Sequence, residues 1–329
     1  MARVLVIGGT LFIGRALVEQ LLARGDEVVI MHRGKGTPFD GRVREIRCDR
    51  NDIPGVQAAL AGERFEVVYD NVYDWQRGTT AEQVTAAARG AGEGLRRYVF
   101  TSSVAAYAGG LDLDEDAPLA RAGHSNPYGL QKAESERALF ALQQAGGPSV
   151  STLRPAFVYG RYNAFDREAF FWDRIRAGRP VIIPGDGARL MQWVKADDVA
   201  LAAIAAADSS EASGRAYNLA NYPPVTQVEF VEALARAADR PVRLVHVPRE
   251  RIEAAGGGLM HPPFYFGVYL DLPPLTIRTE RVRTELGLEL VPLEEGLRET
   301  YRWYEQQARA RPDVSWEEKL LAGAETRSG

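Results

Sequence analysis

Tyr128 and Lys132 stand four residues apart, a spacing that puts both on one face of a helix. An ammonium beside a phenol stabilises the phenolate and draws the tyrosine toward neutrality. Such a pair can pass a proton to or from a carbinol oxygen. Alone, Tyr-x-x-x-Lys is a common surface pattern, so its setting matters. Pro127, behind the capping oxygens of Ser125 and Asn126, predicts a helix start, with the helix running to about Gln144 before Gly146-Gly147-Pro148. The segment 98–101, leading into Ser102 and Ser103, reads as a short strand and its end. Open α/β sheets place ligands at that edge.

A second constellation is Gly8-Gly9-Thr10-Leu11-Phe12-Ile13-Gly14. It follows the apolar run at 4–7 and precedes Ile13, Leu17 and Leu21 at helical spacing. Unpaired amides at a helix N-terminus bind phosphate, and glycines let a pyrophosphate approach the main chain. The competing reading is a tight turn without a ligand; the strand before and the helix after point to a dinucleotide. The next predicted strand, at 28–31, ends in His32-Arg33-Gly34-Lys35. An acid there would bond the ribose 2′-hydroxyl of NAD. His32, Arg33 and Lys35 suit a 2′-phosphate instead, so NADP is favoured over NAD, the alternative being solvated loop charges.

The elements that must carry these residues alternate. Strands are predicted at 4–7, 28–31, 67–69, 98–101 and 150–153, with helices near 56–61 and 81–91 between them. This alternation implies an α/β fold with a doubly wound parallel sheet of the Rossmann type. After Gly160 the chain changes character, so a smaller C-terminal substrate domain is expected. The division is 1–160 for the dinucleotide-binding domain with a return segment at about 192–222, 161–191 and 223–311 for the substrate domain, and 312–329 as a peripheral tail. A strand is expected at 181–183, a capping box at Thr226 and Glu229, and an N-cap at Asp197 or Asp198 for a helix near Val199.

Taken together, the motifs resemble the extended short-chain dehydrogenase/reductases of the NAD(P)-dependent epimerase/dehydratase family. The matching pieces are the glycine turn, Cys48-Asp49-Arg50-Asn51-Asp52, Phe100-Thr101-Ser102-Ser103 with Tyr107, Asn126-Pro127-Tyr128-Gly129 with Lys132, and Leu153-Arg154-Pro155 with Val158-Tyr159-Gly160. Gly185-Asp186-Gly187, Asp197-Asp198-Val199-Ala200, Gly287-Leu288 and Gly296-Leu297 also fit, so the likeness spans about residues 3 to 305. The resemblance implies Ser103, Tyr128 and Lys132 as the catalytic triad. It implies a cofactor site of Gly8, Thr10, Leu11, Phe12, Ile13, Gly14, His32, Arg33, Lys35, Asp49, Arg50, Asn71, Tyr128, Lys132 and Pro155. Asp49 would hold the adenine amino group with Arg50 beside it, and Lys132 would bridge the nicotinamide ribose.

Departures from the pattern are also informative. Leu11 replaces the family's middle glycine, and Tyr69-Asp70-Asn71-Val72-Tyr73-Asp74 replaces its His-x-Ala segment. Both resemble an atypical subgroup that includes the chloroplast stem-loop-binding proteins, although the catalytic tyrosine is kept here. Phe157 and Met191 stand where the family often has Asn and Arg to hold a nucleotide-sugar diphosphate.

Other residues carry less. His124 precedes Tyr128 by four residues and is a second proton-transfer candidate or a loop residue. His32, His246 and His261 lack metal-ligand spacing, so no metal site is expected. Trp75, Trp172 and Trp193 would line a pocket or fill the core, and Cys48 reads as a small packed residue.

With 329 residues, 46% hydrophobic and 26% charged, the chain has an ordinary globular composition. One cysteine excludes an internal disulfide and suits a reducing, cytoplasmic location. Net charge −4 offers no general field for a phosphate backbone, so no nucleic-acid partner is favoured. No apolar stretch reaches the length of a membrane span. The expectation is an NAD(P)-dependent epimerase, dehydratase or reductase acting on a hydroxyl or keto carbon of a sugar-like substrate, as a homodimer. The rival is a non-catalytic dinucleotide-binding sensor or RNA-associated protein on the same fold.

Overall fold

The strand at 4–7 is apolar at every position because it is buried on both faces, as parallel sheets require. In the computed structural model, which describes residues 1–92, 94–257 and 272–322, this segment is the fifth of seven parallel strands in one sheet. We label the strands β1 (Arg3–Ile7), β2 (Glu27–His32), β3 (Arg44–Arg47), β4 (Val67–Asp70) and β5 (Arg97–Thr101); Ser149–Pro155 and Arg215–Leu219 complete the set. From one edge the order is Arg215–Leu219, Ser149–Pro155, β5, β4, β1, β2, β3. The doubly wound parallel sheet is therefore as the sequence implied.

Alternation along β1 sends Val4 and Val6 into one core and Leu5 and Ile7 into the other. The first core is closed by helices α1 (Phe12–Arg24) and Ala196–Asp208, which contribute Leu17, Leu21, Val199 and Ala203. The second is closed by α2 (Ile53–Leu60), α3 (Ala81–Gly90) and α4 (Pro127–Gln144), through Val56, Leu60, Val84 and Leu139. Chain order reverses between β1 and β4, the switch point where such sheets hold ligands outside the strand ends.

The chain divides into two compact units. The first comprises Met1–Val158, Val194–Ala220 and Ile277–Leu290. Its last piece had been expected in the substrate domain; Val282 instead joins the first core, and Arg281 pairs with Asp116 at 2.8 Å. β3 was not foreseen, because only Ile46 of its four residues is buried and no apolar run marks it. The helix expected near Val199 begins at Ala196, with Lys195 as its N-cap. Asp197 and Asp198 are thus not caps but first-turn acids, favourably placed on the helix dipole.

In the second unit, Val181–Pro184 pairs in parallel with Leu244–Val247. Thr226 and Glu229 form the predicted capping box on the helix Gln227–Ala237. Trp193 stacks on Phe230 at 3.8 Å between centroids, and Trp172 donates to the Leu234 carbonyl oxygen at 3.0 Å, so both indoles are core residues. The segment expected to be a peripheral tail forms the helix Ser315–Leu321, whose Trp316, Glu317 and Leu320 are buried. Arg174 and Glu317 make a buried ion pair at 2.5 Å there. His261 lies outside the described residues.

Candidate active site

Three segments of the first unit meet at the carboxyl edge of the sheet: the end of β5, the start of α4 and the loop after β4. Helix α4 starts because the Asn126 side chain accepts the Gly129 amide and Pro127 occupies the first turn. Tyr128 and Lys132 then share a face. Lys132 is buried, and its ammonium donates to the Thr101 carbonyl oxygen at 2.7 Å. The same nitrogen lies 5.9 Å from the centre of the Tyr128 ring and 4.6 Å from that of Phe100. Burial pushes the Lys132 pKa down to about 8; Asp70 opposes this and Arg50 adds to it.

The Ser103 hydroxyl accepts the Ala105 amide at 3.1 Å and caps the short 3₁₀ turn Val104–Ala106. Gly129 packs so tightly on this turn that a Cβ there would overlap the Ala105 carbonyl oxygen. That approach fixes Tyr128 relative to Ser103. Beneath them, Ser102 donates to Glu136, which also takes Arg154 at 2.6 Å and Thr152 at 3.2 Å. Arg154 in turn donates to Tyr107 at 2.9 Å, and Tyr107 to Asn218 at 2.7 Å. The strand end, α4 and the neighbouring strand are thereby locked by buried polar bonds.

The loop after β4 supplies an aromatic group beside Tyr128. Tyr73 meets Tyr128 edge-on at 4.7 Å, and Trp75 stacks on Tyr128 at 4.8 Å. Tyr73 is anchored by its hydroxyl, which donates to Gln131 at 2.8 Å. Trp75 nevertheless keeps 44% of its surface exposed.

At the other end of the crevice, the glycine turn is shaped for close backbone approach. Gly8 has φ +87°, and a Cβ there would strike Val72. A Cβ on Gly14 would overlap the Gly8 carbonyl oxygen. Leu11, in place of the middle glycine, has extended backbone that any residue adopts, and 59% of it is exposed. Positive φ falls on Phe12 instead. Leu11 caps α1 with no side-chain bond, so the helix presents its first amides as phosphate donors. Thr10, Phe12 and Ile13 are half-buried along this turn.

Asn71 follows β4, and its carbonyl oxygen accepts the Thr101 hydroxyl at 2.5 Å. Its amide nitrogen is buried with no hydrogen-bond partner. Pro155 is buried at the end of its strand, opposite Leu219.

The residues expected around the adenosine are arranged differently from their sequence reading. His32 is buried and bonds Glu45 at 2.7 Å, so it points to a carboxylate of β3. Arg33 reaches Asp74 at 2.8 Å, and Lys35 is exposed. Asp49 accepts the Asn51 amide at 3.0 Å and Arg77 at 2.6 Å. Burial pushes the Asp49 pKa up, but these two donors outweigh it and hold the carboxyl below its ordinary range. Arg50 turns inward to a buried pair with Asp70, which also takes the Tyr98 hydroxyl at 2.6 Å. It faces the core, and the spacing of Asp49-Arg50 did not reveal this. His124 accepts the Asn126 amide at 3.2 Å, a loop role.

Sequence reasoning missed Asp70, Asp74 and Arg77. An acid closing an otherwise apolar strand was a signal for Asp70; the other two sit in a loop without periodicity. Among the described residues no cluster of His, Cys, Asp and Glu could hold a metal, and no helix is long and apolar enough to cross a membrane.

A doubly wound sheet with a bare helix N-terminus behind a glycine turn, and a Tyr–Lys pair at its carboxyl edge, defines the class of dinucleotide-binding α/β proteins. The chain belongs to the NAD dependent epimerase/dehydratase family, whose model matches residues 4–220. It is 29% identical over 267 residues to the chloroplast stem-loop binding protein of 41 kDa b of Arabidopsis thaliana, covering 75% of this chain and 67% of that protein. It is 30% identical over 261 residues to 2-alkyl-3-oxoalkanoate reductase of Stenotrophomonas maltophilia, covering 73% and 76%. UDP-glucose 4-epimerase of Thermus thermophilus, solved with NAD, is 25% identical with a TM-score of 0.74, over 93% of this chain and 100% of that one.

Proposed function

We propose that the protein interconverts a carbinol and a carbonyl on a small, sugar-like molecule, with NAD(P) as hydride partner. The observation that carries this is the Lys132 ammonium, bonded to Thr101 and held one helical turn from Tyr128, on the helix whose Gly129 packs against the turn that Ser103 caps. Tyr128 takes the carbinol proton in oxidation and returns it in reduction. Lys132 favours the phenolate and would reach the nicotinamide ribose; Ser103 orients the substrate oxygen. Bound nicotinamide supplies or takes the hydride. The bare amides of α1, the glycine cradle and the unsatisfied Asn71 amide fit such a cofactor.

Sugar-like substrates are supported by the exposed Trp75, an aromatic ring stacked beside Tyr128 of the kind that suits the C–H face of a sugar. NADP is favoured over NAD by the cations Arg33 and Lys35 after β2 and by histidine instead of an acid at position 32. A cytoplasmic homodimer pairing α3 and α4 completes the reading. The rival, a non-catalytic sensor or RNA-associated protein, gains no support from the net charge of −4.

Tyr128→Phe tests the assignment. Turnover of keto-sugars, followed at the nicotinamide absorbance, should fall roughly 10²- to 10⁴-fold with dinucleotide binding unchanged. A variant that kept most of its turnover would remove Tyr128 from the chemistry.

A further inference from the structure

Arg33 and Arg77 converge on one oxygen atom. Arg33 Nη1 lies 2.8 Å from Asp74 Oδ2, and Arg77 Nη2 lies 2.7 Å from the same oxygen. Arg77 Nε is also 2.9 Å from it. Arg77 Nη2 further donates to Asp49 Oδ2 at 2.6 Å, and Arg33 is 4.0 Å from that atom. Both arginine side chains are more than half exposed, at 60% and 52%, whereas Asp74 is buried. Two solvent-facing guanidiniums are thus oriented by an inner carboxylate.

The place of this cluster gives it meaning. Arg33 directly follows β2, and the adenosine ribose of a dinucleotide lies off the end of that strand. Asp49 lies in the loop after β3, adjoining it. We infer that Arg77, together with Arg33, is the determinant of 2′-phosphate recognition, and that Asp74 occupies their donors until a phosphate takes its place. The inference rests on the reading that the glycine turn holds a dinucleotide.

A phosphate offers three acceptor oxygens and guanidinium presents a planar fork, so two arginines can share one phosphate. Asp74 offers one oxygen to both, with its other oxygen taken by the Gln76 and Arg77 amides at 2.9 and 3.1 Å. Burial pushes the Asp74 pKa up, yet the Arg77 and backbone donors and the Arg33 charge hold it well below the usual carboxylate range. Asp74 therefore stays an anion at neutral pH and competes with the phosphate throughout. The competition sets a modest preference for NADP instead of an absolute one. The loop also matters: Asp74 lies between Tyr73 and Trp75, the two aromatic neighbours of Tyr128.

The test measures dissociation constants for NADPH and NADH by nicotinamide fluorescence in the full chain. Arg77→Ala should weaken NADPH about tenfold and leave NADH near its original value, as expected for loss of a charge-assisted bond. Asp74→Asn keeps the Oδ1 acceptor for the two amides and removes the competing charge; it should tighten NADPH several-fold without a matching change for NADH. Equal effects on both dinucleotides, or no effect of Arg77→Ala on their ratio, would make the cluster a structural tie and overturn the inference. Failure of the parent protein to bind either dinucleotide would instead overturn the cofactor reading on which it depends.

Discussion

Gly129 lies directly against the carbonyl oxygen of Ala105, with no room for a β-carbon between them. This contact sets the separation of the helix carrying Tyr128 and Lys132 from the turn capped by Ser103. Gly129→Ala must push the helix start off the turn. Overpacking of this kind costs about 1–3 kcal/mol. Thermal unfolding should show the loss, and turnover should fall further than stability alone explains, because the two proposed catalytic segments move apart.

Lys132 predicts a dependence on pH. Its pKa is about 8 in the folded protein against 10.5 in the unfolded chain, because burial disfavours the ammonium. Between those values the unfolded chain binds the extra proton, so this group's contribution to stability rises with pH. Below about pH 8 the buried charge costs about 3 kcal/mol. Lys132→Met removes that dependence. Urea denaturation at pH 7 and pH 10 should show the parent gaining on the variant at the higher pH; a constant difference would refute the assignment.

In the second unit, Glu168 behaves in the opposite sense. Burial pushes its pKa up to about 7, against the Gly160 amide that donates to it at 3.0 Å. The folded state then holds a proton that the unfolded chain releases above its ordinary value of 4.5. Its contribution to stability therefore falls as pH rises from about 4.5 to 7. Glu168→Gln keeps an acceptor for Gly160 and abolishes the titration. The variant should gain on the parent as pH is raised across that window, measured by denaturant midpoints.

Glu136 and Arg154 form a buried pair at 2.6 Å beneath Ser102. Removing one member leaves a buried charge uncompensated. Arg154→Leu should cost about 3–5 kcal/mol. The double variant with Glu136→Leu should recover part of this, since neither charge remains. Chemical denaturation of both variants distinguishes an uncompensated charge from a simple loss of packing.

What the sequence determined by itself was local or periodic. The runs that became β1, β2, β4 and β5 were legible because strands buried on both faces bring three or four apolar residues together in sequence. Helix α4 was legible to the residue, since Asn126 and Pro127 begin it and the glycines after Ala145 end it. The glycine turn and the one-turn spacing of Tyr128 and Lys132 are likewise properties of the local chain. Only the tertiary structure decided which charge meets which. Arg50 was expected beside Asp49 in the cofactor site but pairs with Asp70, twenty residues on; His32 found Glu45, and Arg33 found Asp74. Ion pairs form across loops and between strands, where no period in the sequence records them. The placement of 277–290 with the first unit has the same origin. A segment joins the core that can cover its apolar residues, and for Val282 that core is built from strands and helices far earlier in the chain.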